Sequence, residues 1–247
     1  MIINFRARRA VGGYRIVTVD ERRLARATLN DDETVIPPPD ATPLECEVLE
    51  RWGFEFTIRK PEGKFRALIP TTDKAEEIEM FGTSNAIFLD FASLSSEQDI
   101  TAFADKYGSF SGMGLDYLRH WRWETGAMKK AVEAWETAKR TADFQKVIAI
   151  VDMLARGKMD IDKGIGSSIL LQRDEESALP RLSIRPCTFL DALWTQFLLA
   201  VDGNKNFSRC DQCPVWFPVG AAGHRPDRLY CSDACRMRAY RNRKSDI

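Results

Sequence analysis

The stretch Cys210-Asp-Gln-Cys213, followed after an interval by Tyr230-Cys231-Ser-Asp-Ala-Cys235, decides how the C-terminal part of this chain folds. Two residues separate the first pair of cysteines and three separate the second, and each short gap lets one turn direct both sulfurs at the same point. Four thiolates in two pairs are the ligand set of a closed tetrahedral Zn²⁺ site. We therefore predict one structural Zn²⁺ bound by Cys210, Cys213, Cys231 and Cys235, with iron as the rival ion.

A helix is predicted to follow the second cysteine pair. Ser232 and Asp233 are favourable residues for a helix N-terminus, and neither Pro nor Gly interrupts residues 234–244. The helix dipole favours thiolate at this end, which is the form that binds metal. Phe217 and Tyr230 are expected to cover the ion with apolar surface. A knuckle, a short strand pair and a helix carrying the second ligand pair describe a treble-clef zinc finger.

The predicted C-terminal helix is strongly basic. Its candidate nucleic-acid-binding residues are Arg236, Arg238, Arg241, Arg243 and Lys244, and no acidic residue lies among them. At 100° per residue, the arginines lie on both sides of a metal-facing stripe formed by Cys235, Ala239 and Asn242. Such a helix can reach phosphates on both walls of a DNA major groove. In the alternative, the finger is a stabilising cap whose arginines pair with acidic residues of the preceding domain.

The segment Tyr230-Cys-Ser-Asp-Ala-Cys-Arg-Met-Arg-Ala-Tyr-Arg241 resembles the C-terminal treble-clef fingers of bacterial proteins related to the CGNR zinc-finger family. The likeness is firmest between Arg209 and Lys244. This chain has Cys235-Arg-Met-Arg238 where the family has Cys-Gly-Asn-Arg, and its second cysteine gap is shorter. The resemblance implies a helical domain before the finger and a role as a DNA-binding transcriptional regulator.

The composition is that of a globular protein without an overall electrostatic field. The chain has 247 residues, of which 44% are hydrophobic, and its 36 Lys+Arg balance its 36 Asp+Glu. Any affinity for a polyanion must therefore come from a local patch such as the C-terminal helix. The N-terminus lacks the long apolar run of a signal or membrane span, and we expect a cytoplasmic protein without a membrane partner. Cys46 and Cys187 stand alone and are expected to be buried thiols.

The first part of the chain, 1–92, is predicted to form a small mixed α/β module. Short strands are expected on both sides of the turn at Gly12-Gly13, and a proline-rich loop is expected between Asn30 and Pro43. Alternation of apolar and polar residues over 54–58 and again over 65–69 predicts a β-hairpin. A further short strand is predicted at 87–89.

The middle segment, 93–206, is predicted to be a helical domain that leads into the finger, 207–247. Ser96 and Asp99 indicate a helix start, as do Thr188 and Asp191. Apolar residues at helical spacing predict a pair of helices over 115–138 and 144–154. Residues 169–171 and 182–184 are expected to pair as a hairpin, and His120-Trp-Arg-Trp123 is interpreted as a packed helix face rather than a base-stacking site. The predicted fold class is α+β and mostly helical.

No pattern in the sequence indicates catalysis, and we expect the protein not to be an enzyme. There are only two histidines, and neither Gly112-Met-Gly114 nor Gly164-Ile-Gly166 fits a dinucleotide-binding loop. His224 is expected to be an exposed loop residue, because four cysteines already close the metal site and leave no open position for water. The sequence therefore favours a zinc-binding protein whose finger binds nucleic acid, DNA rather than RNA. The alternative is a protein-interaction adaptor with a purely structural finger, with a partner bound through the helical domain.

Overall fold

The computed structural model describes residues 2–3, 5–29, 34–57, 63–81, 86–155, 167–173, 180–220, 225 and 227–245. The helices in these ranges are α1 (Glu21–Leu24), α2 (Pro43–Thr57), α3 (Ile87–Ala92), α4 (Glu97–Tyr107), α5 (Leu118–Thr141), α6 (Gln145–Ala155), α7 (Phe189–Asp202) and α8 (Asp233–Ser245). The strands are β1 (Ile2–Ile3), β2 (Arg6–Ala10), β3 (Tyr14–Asp20), β4 (Thr28–Leu29), β5 (Val35–Ile36), β6 (Lys64–Pro70), β7 (Ala75–Glu79), β8 (Asp116–Tyr117), β9 (Ser167–Arg173), β10 (Pro180–Pro186), β11 (Asn206–Arg209) and β12 (Trp216–Val219). The fold is mixed α and β with small sheets, in agreement with the predicted α+β class.

The sheet β3-β6-β8 separates two hydrophobic cores. Strand β6 pairs antiparallel with β3 on one side and with β8 on the other. Because successive side chains of a strand point to opposite faces, Ala67 and Ile69 pack in a smaller core with Leu24 of α1 and Leu49 of α2. Leu68, between them, packs in the larger core.

The larger core joins the helices to both ends of the chain. It contains Tyr14 from the N-terminal part, Trp121 from α5, Phe197 from α7, and Phe207 and Trp216 from the C-terminal part. All three predicted segments therefore contribute side chains to one core, while the boundaries drawn between them remain a prediction. No helix in the described part of the chain combines the length and apolar character needed to cross a bilayer.

Several predicted elements are confirmed. The starts of α4 and α7 are reciprocal capping boxes, Ser96 with Asp99 and Thr188 with Asp191. Strands β9 and β10 pair antiparallel, and Leu171 lies opposite Leu182. Helices α5 and α6 contact each other as the predicted pair. The local signals on which these predictions rested, helix caps and hydrophobic period, agree with the packing.

The hairpin predicted for 54–58 and 65–69 is wrong in its first strand. Residues up to Thr57 belong to α2, residue 58 lies outside the described residues, and β6 pairs with β3 instead. The cause is a strong helix start: Glu45 Oε2 accepts from the Thr42 amide at 2.7 Å, and the Glu45 amide donates to Thr42 Oγ1 at 3.3 Å. Pro43 then occupies the first helical position, where its missing N–H costs nothing.

The strand predicted at 87–89 is also wrong, because these residues open the short helix α3. Ile87, Phe88 and Leu89 are all buried. A short apolar run buried on every side has no period to distinguish a strand from a helix. The Asp90 carboxylate accepts a 2.6 Å hydrogen bond from the Tyr107 hydroxyl, which ties α3 to the end of α4.

The residues at 120–123 differ in burial. Trp121 is fully buried, stacks on Phe110 at 4.1 Å between ring centroids and donates its indole N–H to Asp116. Burial raises the pKa of Asp116, whose carboxylate also accepts hydrogen bonds from the amides of Phe110 and Ser111. Trp123 is 47% exposed, so the predicted packed face holds for Trp121 and not for Trp123.

Two glycines give opposite predictions for the same substitution. Gly108 ends α4 with φ +98°, and a Cβ there would lie 2.6 Å from the carbonyl oxygen of Arg8. Gly126 lies inside α5, and its Cβ would meet no described atom within 4 Å. We expect Gly108→Ala to lower the free energy of unfolding by about 2–3 kcal/mol through backbone strain. Gly126→Ala should raise it by about 0.5–1 kcal/mol, because alanine has the higher helix propensity.

Urea unfolding followed by circular dichroism measures both changes. A Gly108→Ala protein as stable as the wild type would contradict the close approach of the α4 end to the Arg8 backbone. A destabilised Gly126→Ala protein would show that the space beside α5 is filled.

Candidate metal centre

The first cysteine pair lies in the turn of a β-hairpin. Strands β11 and β12 pair antiparallel with Arg209 opposite Trp216, and Cys210 directly follows β11. The turn is closed by the Cys210 amide, which donates to the carbonyl of Val215 at 3.0 Å. Cys213 is in this turn, so both sulfurs of the first pair are presented at the same end of the hairpin.

The second cysteine pair lies at the start of α8. Cys231 precedes the helix and Cys235 lies in its first turn. Ser232 Oγ accepts a 3.3 Å hydrogen bond from the Cys235 amide, as predicted for a helix N-cap. The Arg228 guanidinium donates to the carbonyls of Tyr230 and Cys231, each at 2.6 Å, and thereby holds the approach to the helix.

The four sulfurs converge on one point. Cys213 Sγ lies 3.6 Å from Cys231 Sγ and 3.7 Å from Cys235 Sγ, and all four ligand atoms lie within 4.8 Å of one another. Sulfurs about 2.3 Å from a tetrahedral ion would be about 3.8 Å apart. The cluster therefore has the geometry of a site for one metal ion, and it is the only group of this kind among the described residues.

A small apolar cluster surrounds these sulfurs. Cys210 and Cys235 are buried, as are Phe217 and Val219 of β12, and Tyr230 packs against them half-buried. The predicted cover by Phe217 and Tyr230 is confirmed. Arg228 lies over the Phe217 ring at 5.4 Å and so links this cover to the second ligand pair.

The ionisation of the thiols suits a cation. Burial alone would raise the pKa of Cys210, but backbone hydrogen bonds from Cys231, Gln212 and Cys213 outweigh it and lower that pKa to about 7. Burial and the neighbouring thiols raise the pKa of Cys231 to about 12, and burial raises that of Cys213. A bound divalent cation favours the thiolate form of each ligand and so opposes the effect of burial on Cys213 and Cys231.

The finger hairpin is packed into the body of the protein. Phe207 contacts Phe88 of α3 at 5.4 Å between ring centroids, and the Trp216 amide donates to Ser93 Oγ at 2.9 Å. The Trp135 indole N–H of α5 donates to the carbonyl of Lys205 at 2.8 Å. The connection between α7 and the hairpin is therefore itself held against α5.

The predicted basic residues lie on the exposed part of α8. Cys235 and Ala239 are buried on the metal side as predicted, whereas Asn242 is exposed. The side chains of Arg236, Arg238, Arg241 and Arg243 are exposed, and Lys244 belongs to α8 with a side chain outside the described residues. Arg236 pairs with Asp233 of its own helix at 3.2 Å, and Arg243 Nε donates to the carbonyl of Ala239 at 3.4 Å.

Two contacts of the site have no signal in the sequence. Arg228 stands in a polar stretch before the second cysteine pair, where nothing separates it from the other arginines. Ser93, at the C-terminal cap of α3, meets Trp216 only through the tertiary fold. Two predictions about lone cysteines are not confirmed, since Cys46 is half-buried and Cys187 is exposed beside the N-cap of α7. His224 lies outside the described residues.

Comparison with known proteins adds no identification. No protein-family model and no curated protein sequence matches this chain.

The cysteine cluster predicts one equivalent of Zn²⁺ in protein purified without chelator, measured by inductively coupled plasma mass spectrometry. Cys231→Ser should lose most of this zinc and lower the melting temperature, because serine is a poor ligand for the ion that holds α8 to the hairpin. The matched control, Cys187→Ser, changes an exposed cysteine outside the cluster and should keep both zinc and stability. Zinc-free wild-type protein, or a Cys231→Ser protein with full zinc content, would refute the assignment.

Proposed function

We propose that this protein is a DNA-binding regulator of transcription whose treble-clef finger holds a structural Zn²⁺ and presents α8 to the nucleic acid. One observation carries the proposal: a helix anchored at a four-cysteine cluster exposes four arginines on its surface. No acidic residue interrupts the helix between Arg236 and Lys244. The likeness of the segment Arg209 to Lys244 to the fingers of CGNR-related bacterial regulators supports the same proposal.

The observed partners of two arginines of α8 support a role of this helix in binding nucleic acid. Arg236 pairs with an acid of its own helix, and this pair is exposed on both sides, so it costs little to exchange for a phosphate. Arg243 bonds to a carbonyl of its own helix. Both of these contacts lie within α8, whereas the capping alternative requires pairs between the arginines and acidic residues of the preceding domain.

The proposed ion is structural. Four thiolate ligands fill a tetrahedral shell and leave no position for a water molecule or a substrate, so we assign the protein no catalytic residue. We place the protein in the cytoplasm, where reducing conditions keep the ligand thiols available to the metal.

A second candidate function is favoured by the way the finger is packed. Phe207 and Trp216 of the finger hairpin belong to the larger core, so the finger also stabilises the body of the protein. A finger with only this role would serve a protein-interaction adaptor, with the partner bound by the helical part. The two functions differ in what the basic face of α8 contacts.

The salt dependence of DNA binding tests the proposal. If four basic side chains reach duplex phosphates, the logarithm of the association constant should fall against the logarithm of salt concentration with a slope of about −3.6. Arg238→Ala with Arg241→Ala should reduce the magnitude of this slope by about 1.8, because each lost phosphate contact removes about 0.9. Fluorescence anisotropy of a labelled 30-base-pair duplex over a sodium chloride series measures both slopes.

A charge-matched control accompanies this variant. Lys129→Ala with Lys130→Ala removes two exposed positive charges from α5 and should leave the slope unchanged. Equal loss in both double variants would indicate a diffuse charge effect and contradict a role for α8. If the wild type shows no salt-sensitive binding to DNA or RNA, the adaptor function takes first place.

A further inference from the structure

The outer face of α8 carries two large apolar side chains. Met237 is 46% exposed and Tyr240 is 50% exposed. They are three residues apart and therefore neighbours on one helix face. Met237 lies two residues from the buried Cys235, about 200° around the helix, so this face points away from the metal.

The apolar face lies between two basic rows. At about 100° per residue, Arg236 and Arg243 lie on one side of Met237 and Tyr240, and Arg238 and Arg241 lie on the other. Lys244 lies at the same angle around the helix as the apolar pair, one turn beyond Tyr240 towards the C-terminal end of α8. Exposed apolar groups flanked on both sides by cations match a surface with an uncharged centre and anionic edges.

The DNA major groove is such a surface. Two rows of phosphates border it, and it is about 12 Å wide, which admits a helix. Helix α8 has 13 residues and so extends for about 20 Å. The bases at the floor of the groove are uncharged, and their one apolar group is the 5-methyl of thymine.

We propose that Met237 and Tyr240 contact base edges in the major groove of duplex DNA, and that Met237 packs against thymine methyl groups. This inference rests on the proposed function and adds base discrimination to the phosphate contacts made by the arginines. The arginines set affinity and orientation without reading the sequence, and the apolar pair selects thymine-containing steps.

Replacing thymine by deoxyuridine tests the contact directly, since this change removes the methyl group and leaves charge and base pairing intact. The probes are two 30-base-pair alternating duplexes, one of adenine with thymine and the other of adenine with uracil. We expect the wild type to bind the thymine duplex about fourfold more tightly for each methyl group buried. Met237→Ala should bind both duplexes equally, with the same salt slope as the wild type because no charge is removed.

Two controls establish that the effect belongs to α8. Val11 lies in the turn between β2 and β3 and is 59% exposed. Val11→Ala shortens this exposed apolar side chain, and the variant should keep the preference for thymine. Zinc content and circular dichroism of Met237→Ala should match the wild type, since Met237 is outside the buried cluster around the cysteines.

The outcomes separate this inference from the proposed function. Equal binding of both duplexes by the wild type, with the salt slope and its dependence on Arg238 and Arg241 intact, overturns the thymine contact and leaves the DNA-binding function standing. Tighter binding to a 30-nucleotide oligothymidylate, which cannot pair with itself, than to the thymine duplex overturns the groove assignment. A preference for thymine that survives Met237→Ala removes Met237 from the contact. Absence of salt-sensitive binding to any of these probes overturns both.

Discussion

The packing of the finger hairpin on both of its faces is the constraint on which the C-terminal part of this structure depends. Trp216 points into the larger core, while its neighbour Phe217 points into the cluster around the cysteines. Alternation along a strand makes this possible within consecutive residues. The hairpin of β11 and β12 thus fixes the first cysteine pair to the body, and a metal ion shared by the four sulfurs would fix α8 to the hairpin.

The cluster around the sulfurs is too small to hold α8 by hydrophobic burial. Its buried members are Cys210, Phe217, Val219 and Cys235, and among residues 233–243 of the helix only Cys235 and Ala239 are buried. Units with so little apolar contact need a metal or another covalent constraint to fold. In the proposed holoprotein, metal binding and the placement of α8 are therefore one energetic event. This coupling ties the chemistry of the sulfurs to the surface that α8 presents.

The sequence predicted what is encoded locally and missed what depends on distant partners. The capping boxes at Ser96 and Thr188, the pairing of β9 with β10 and the convergence of the cysteines all follow from short spacings. The partner of β6 does not, because β3 lies far away in the sequence and no local signal selects it. The alternation of apolar and polar residues at 54–57 did not produce a strand, because the helix that starts at the Thr42 cap continues through residues without a strong preference against it. The docking of Trp216 against Ser93 and the role of Arg228 likewise appear only when the elements are assembled.

The arginines of the finger show why a basic composition does not by itself define a binding surface. Arg228 has a structural role, because its guanidinium donates hydrogen bonds to two carbonyls and lies over the Phe217 ring. The arginines of α8 are exposed on a helix that follows a hairpin held to the body by the Trp216 amide bond to Ser93 and by the Trp135 bond to the Lys205 carbonyl. A rigidly placed helix loses less conformational entropy on binding than one on a free linker. In the proposed complex with DNA, a fixed helix would have one approach to a duplex, and the side chains on its outer face, Met237 and Tyr240, would then be the ones that meet the bases.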